Sequence, residues 1–184
     1  METDERIARI KVLSRRLRWV VWGTAALCGF AVVVTLLIAT GLPVDGASIS
    51  IGGDFVGDNQ LPLDQVSGPG RFLLALPFLP SMVIVFAVLR LGDRLLKLYE
   101  QGKIFGAANA RIIHQSGKLL VALALVNAVA SPIAQAIGAG SGLPIDDISI
   151  DLQTGLLLIG VAIIFVGHIM SIGAEMAEDR ALTI

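Results

Sequence analysis

The sequence predicts an all-α membrane protein: a four-transmembrane-helix bundle built from two parallel helix-hairpin repeats, with short outer β-strands. Three observations predict it: four long uncharged stretches, a one-sided distribution of Lys and Arg, and text that recurs at a spacing of 102 residues. Trp19–Gly41, Phe72–Leu89, Leu119–Ile137 and Gly155–Gly173 run 23, 18, 19 and 19 residues without one Asp, Glu, Lys or Arg. A hydrocarbon core about 30 Å thick takes about 20 apolar residues as helix, so each stretch is one crossing. The spans fall at 19–41, 72–91, 119–137 and 155–173, within a single membrane domain covering 1–184. Charged residues make up 16% of the chain, against roughly 25% in a soluble domain.

Orientation follows from the basic residues. Arg6, Arg9, Lys11, Arg15, Arg16 and Arg18 precede span one. Arg90, Arg94, Lys97, Lys103, Arg111 and Lys118 lie between spans two and three, and Arg180 follows span four. Only Arg71 lies in the connection from span one to two, and the connection from span three to four has none. Lys and Arg accumulate on the cytoplasmic side, so the sequence predicts a multi-pass inner-membrane protein with both termini in the cytoplasm. A net charge of −1 provides no global attraction to nucleic acid, and direct nucleic-acid binding is not expected. Cys28 is the only cysteine, which excludes an intrachain disulfide.

Each element has a local reason. Thr3 is a suitable N-cap, and Asp4 and Glu5 suit the positive end of a helix dipole. Ile7, Ile10, Leu13 and Leu17 share one face of that helix, and Trp19 and Trp22 fit the headgroup level. In span two, Pro77 and Pro80 predict a kink. Leu91, Leu95 and Leu98 carry the helical period beyond that span to a stop at Gln101-Gly102. A new helix starts near Gly106 and runs into span three, where Pro132 predicts a second kink.

The two outer connections read alike. Gly41-Leu42-Pro43-Val44-Asp45 with Ile49-Ser50-Ile51 parallels Gly142-Leu143-Pro144-Ile145-Asp146 with Ile148-Ser149-Ile150. Alternating Ile and Ser predict short strands that pair with each other or cap the bundle. Ala8-Arg9-Ile10 likewise matches Ala110-Arg111-Ile112, and Ser14, Arg16 and Leu17 match Ser116, Lys118 and Leu119. These matches predict duplicated units over 1–101 and 106–184, parallel because each begins on the same side.

Span three has the most informative face. Ala124, Ala128, Pro132, Ala136 and Gly140 recur every fourth residue, the pattern of close helix approach. Asn127, Ser131 and Gln135 run beside them, and His168 lies in span four. Lipid cannot satisfy such groups, so they are expected to face neighbouring helices or an oligomer interface as a polar row. A proton relay would need an intramembrane carboxylate, which all four stretches lack. Asp54 and Asp58 lack the ligand spacing of an EF-hand loop. No nucleophile–base pair, phosphate loop or HExxH motif occurs, so neither enzyme activity, metal nor cofactor is expected.

Two further stretches carry a family resemblance. Leu95-Leu96-Lys97-Leu98-Tyr99-Glu100-Gln101-Gly102-Lys103-Ile104-Phe105, with Asn109 four residues on, is joined by the terminal Glu178-Asp179-Arg180-Ala181-Leu182-Thr183-Ile184. Together they resemble the bacterial membrane family named domain of unknown function 2975. Its members have four spans, a Gly-x-x-Phe-x-x-x-Asn turn before span three, and an acidic end followed by Leu-Thr-Ile/Val. Gly106 departs from the family's Ser or Thr, although Gly still serves as an N-cap. The resemblance implies no enzyme activity and no known substrate. Such proteins are often encoded beside small helix-turn-helix regulators, which implies a cytoplasmic protein partner.

The expected function is a non-enzymatic envelope sensor or membrane anchor for such a regulator. Gly102, Phe105 and Asn109 would pack against Glu178, Leu182, Thr183 and Ile184 to present the docking face. Membrane lipid and a homo-oligomer are the other expected partners. Alternative readings are a small transporter or channel subunit using Asn127, Ser131 and Gln135, and a structural membrane subunit.

Overall fold

The computed structural model describes residues 2–39, 48–50, 60–62, 68–101, 106–140 and 152–182. Helices dominate. In chain order they are α1 (Glu2–Ala39), α2 (Gly68–Ala75), α3 (Leu79–Glu100), α4 (Ala107–Gly140) and α5 (Thr154–Leu182). Four helical stretches are long and apolar enough to cross a membrane: Leu13–Val34, Gly70–Glu100, Ala107–Gly140 and Thr154–Met176. The second comprises α2 and α3 with the turn that joins them.

The boundaries have identifiable causes. Helix α1 begins at Glu2, one residue ahead of the expected Thr3 cap. The expected kink in span two is a break: Leu76–Phe78 form one 3-10 turn between α2 and α3, with Pro77 inside it. Proline removes a backbone donor and clashes with the preceding turn of an α-helix. Pro80 sits in the first turn of α3, where a missing N–H has no intrahelical partner to lose. At the far end of α3, Gln101 N–H donates to Lys97 O at 3.2 Å. Helix α4 starts one residue after Gly106, whose carbonyl accepts from Asn109 and Ala110 N–H at 3.0 and 3.2 Å. It continues unbroken through Pro132.

Among the described residues, strand structure is a three-residue antiparallel ladder, β1 (Ser48–Ser50) on β2 (Gln60–Pro62), with Ile49 opposite Leu61. Both strands belong to the first connection. The partner expected for Ile49-Ser50-Ile51 was Ile148-Ser149-Ile150, a segment outside the described residues. Apart from this ladder the described fold is helical.

The chain divides into two compact units. Unit 1 holds 1–26, 84–122 and 155–184, and unit 2 holds 27–83 and 123–154. The division cuts through α1, α3 and α4.

The distribution of size between inside and outside is that of a chain solvated by lipid. The buried apolar residues are mostly alanine: Ala110, Ala124, Ala128, Ala130 and Ala134, with Leu74 and Leu123. Large apolar side chains face outward, among them Leu27, Phe30, Val83, Leu158 and Phe165. Water would penalise that arrangement by about 25 cal/mol for each Å² of apolar surface. In lipid the penalty vanishes, and close packing of small residues drives helix association instead. Unit 1 shows this directly where α4 meets α5. A Cβ added at Gly117 would lie 2.7 Å from Ile164 N, and one at Gly160 would lie 3.0 Å from Val121 N. One at Gly167 would lie 2.8 Å from His114 N. The two antiparallel backbones touch over two helical turns because these three positions lack a side chain.

Candidate functional site

Unit 2 holds the polar row. Ser81 on α3 donates its hydroxyl to Asn127 Oδ1 on α4 at 2.5 Å. Asn127 Nδ2 donates to Gln153 Oε1, just ahead of α5, at 3.2 Å. One turn along α4, Gln135 Nε2 donates to Ser131 Oγ at 3.1 Å, and both residues are buried. Half-buried Asn127 thus links α4 to α3 and to the residues ahead of α5, whereas the Ser131–Gln135 bond lies within α4. A separate apolar cleft of unit 2 is lined by Leu76, Pro77, Pro80, Val126, Val129 and Ile133, and no residue of the row lines it.

His168 belongs to the other unit. It is exposed on α5, in unit 1. The histidine that approaches a neighbouring helix is His114, whose Nδ1 lies 3.5 Å from Ile164 O. The small-residue face also differs from its expected extent. Ala124 and Ala128 are buried, whereas Ala136 and Gly140 are exposed. A step of four residues advances about 400° around a helix of 3.6 residues per turn, so the row drifts off the buried face. Burial instead follows Ala124, Ala128, Ser131, Gln135 and Gly138, alternating steps of four and three.

Unit 1 holds a charged cluster between α1 and α3. Arg18 Nε lies 3.0 Å from Asp93 Oδ1, and its Nη1 lies 3.0 Å from Glu100 Oε2. Lys97 Nζ lies 2.7 Å from Asp93 Oδ2, one turn along the same helix. Arg18 thus spans two turns of α3 with a single guanidinium fork, a geometry that lysine cannot reproduce. Beside this network a cleft of ≈ 660 Å³ opens between the two helices. Val21, Trp22, Ala25, Phe86 and Ala87 line one part, and Arg90, Asp93, Arg94 and Lys97 the other.

Among the described residues no three His, Cys, Asp or Glu side chains converge as a metal site would require. Asp54 and Asp58 lie outside the described residues, as do Gly102, Phe105, Thr183 and Ile184. Asn109 is buried in the first turn of α4, and Glu178 and Leu182 fall on the last turns of α5.

A family model for a protein of unknown function (DUF2975) matches residues 61–184. The chain belongs to this family. The DUF2975 match takes in α2 to α5, and with them the polar row, the turn before α4 and the α3 wall of the charged cleft. Helix α1, including Arg18, precedes the matched region. No curated protein and no solved structure matches the chain.

Sequence reasoning missed Ser81, Gln153, the Arg18–Asp93–Glu100 network and the glycine seam between α4 and α5. Gly160 and Gly167 carried a usable signal, since a seven-residue spacing places both on one helix face. The Arg18 pairs span 75 and 82 positions of chain. No local pattern connects residues so far apart.

Proposed function

We propose that this DUF2975 member is a non-enzymatic inner-membrane protein that anchors a cytoplasmic regulator or reports envelope state to it. The single observation behind this reading is the ion-paired helical region of unit 1. There α1 and α3 run beyond the uncharged stretches and are tied by Arg18 to Asp93 and Glu100. Helices α4 and α5 also extend past their uncharged stretches, within the same unit. An ordered, charged platform outside the apolar spans suits protein docking better than a signal peptide or a lipid-only tether would. Thirteen of the fourteen Lys and Arg lie in 1–18, 90–118 and 174–184, which supports cytoplasmic placement of that platform and of both termini.

The docking face combines Gly102, Phe105 and Asn109 with Leu182, Thr183 and Ile184. Two parallel repeats, with a strand in each outer connection, complete the proposed architecture. Deleting 182–184 tests the docking role. Full-length and truncated chains are purified from native membrane in mild detergent, and co-purifying proteins are compared at equal membrane level. Loss of a helix-turn-helix protein from the truncated sample supports the reading; unchanged recovery removes it.

The structural-subunit reading has one observation in its favour. Asn127, Ser131 and Gln135 are engaged in hydrogen bonds with Ser81, Gln153 and each other, as packing glue would be. A transporter role would require water to reach them. Cysteine placed at 131 or 135 would then react with a water-soluble thiol reagent.

A further inference from the structure

We propose that the cleft between α1 and α3 in unit 1 binds the headgroup and upper acyl chain of an anionic phospholipid. The cleft is two-faced. Val21, Trp22, Ala25, Phe86 and Ala87 belong to the uncharged stretches, whereas Arg90, Asp93, Arg94 and Lys97 follow directly on the end of one. Its two parts therefore meet where apolar span gives way to charged helix. A ligand filling both parts carries an apolar tail and a polar head, which favours a lipid over a free anion or an acidic peptide.

The sign of the head follows from the charges. Arg18, Arg90, Arg94 and Lys97 face two carboxylates, Asp93 and Glu100. Both carboxylates are already paired with Arg18, and Asp93 with Lys97 as well. Arg90 and Arg94 are exposed and have no ion-pair partner among the described residues. Two guanidinium groups four residues apart on one helix share a face, and planar forks suit phosphate oxygens. A surplus of two positive charges at a membrane boundary selects an anionic headgroup over a zwitterionic one. Basic pockets between membrane helices bind such headgroups by the same physics. Trp22 lines the cleft four residues after Arg18, the last charge before span one, and its large, flat, amphipathic ring is of the kind that favours the membrane interface.

Native mass spectrometry of the delipidated full chain tests this, with phosphatidylglycerol and phosphatidylcholine of identical acyl chains as probes. The wild type is expected to retain phosphatidylglycerol preferentially. Arg90→Gln with Arg94→Gln is expected to weaken it about twenty-five-fold, roughly five-fold for each basic side chain. Arg90→Lys with Arg94→Lys should restore most of the preference, which a misfolded protein would not do. Arg111→Gln with Lys118→Gln, outside the cleft, should leave it intact. Equal retention of the two lipids by the wild type overturns the proposal. So does an equal loss in the Arg111 and Lys118 pair, which would indicate diffuse attraction. Displacement of the lipid by millimolar inorganic phosphate would assign the site to a free anion instead.

Discussion

Ser81 determines how well Asn127 is accommodated. The amide has both ends engaged, Oδ1 by the Ser81 hydroxyl and Nδ2 by Gln153. The two partners are not symmetric in what they lose. A serine deprived of Asn127 can turn its hydroxyl to a carbonyl of its own preceding turn, whereas an amide oxygen on α4 has no such fallback. Asn127→Ala removes both bonds and is expected to destabilise by about 1 kcal/mol, at an average of about 0.6 kcal/mol for each polar bond between membrane helices. Ser81→Ala should cost more, roughly 1–3 kcal/mol for an acceptor left without a donor. Reversible unfolding in mixed detergent micelles measures both, and the opposite ranking would refute the asymmetry. The same capacity for self-satisfaction explains what could be read from the sequence. Asn127 and Gln135 were legible because an amide in an uncharged stretch must find a partner. Ser81 was not, because a hydroxyl that its own helix can satisfy need not have a partner elsewhere and leaves no trace in the pattern. Thr24 and Ser116 do just that, donating to Val20 O and Ile112 O.

Helices α4 and α5 are joined by absence of side chain. Backbone nitrogens stand where Cβ atoms at Gly117, Gly160 and Gly167 would be, and backbone cannot yield as a flexible side chain can. Each Gly→Ala substitution there is expected to cost about 1–3 kcal/mol by overpacking. Gly92→Ala and Gly173→Ala meet nothing within 4 Å and should gain about 0.5–1 kcal/mol from the better helix former. Melting temperatures of the five variants in one detergent decide the matter, since a uniform response would mean that contact is not the cause. The tie between α1 and α3 is of another kind. Arg18→Gln should cost about 1 kcal/mol where the pairs are solvated, with more at the half-buried Glu100, since Asp93 keeps Lys97. Its effect should shrink in 1 M salt, where screening acts within about 3 Å. Helix positions and the breaks at Pro77 and Gln101 were readable because each rests on a few adjacent residues. The buried face of α4 was misread at Ala136 and Gly140 because a strict four-residue step outruns the helical turn.

For the chain as a whole, the number of crossings and the direction of crossing rest on different physics. The crossings follow from apolar length, and the large outward-facing side chains around an alanine interior agree with them. Direction follows from the cost of carrying Lys and Arg across the membrane, counted over short connections. Residues 42–71 make up the first connection between spans, far below the roughly 60-residue length at which that count loses force. With one basic residue there against six ahead of span one and six between spans two and three, the bias is steep. A phosphatase reporter fused after Ile184, active only outside the cytoplasm, should therefore be silent, and a fluorescent reporter that matures only in the cytoplasm should be bright. Because the bias is additive, it should also be reversible. Replacing the six basic residues of 1–18 with Gln and adding four Lys within 46–58 should produce a mixed population, visible as partial phosphatase activity. Unaltered silence after that exchange would mean that the segment between spans two and three holds the orientation alone. Activity in the native chain would place the charged platform of unit 1 outside the cytoplasm, where no helix-turn-helix regulator could reach it.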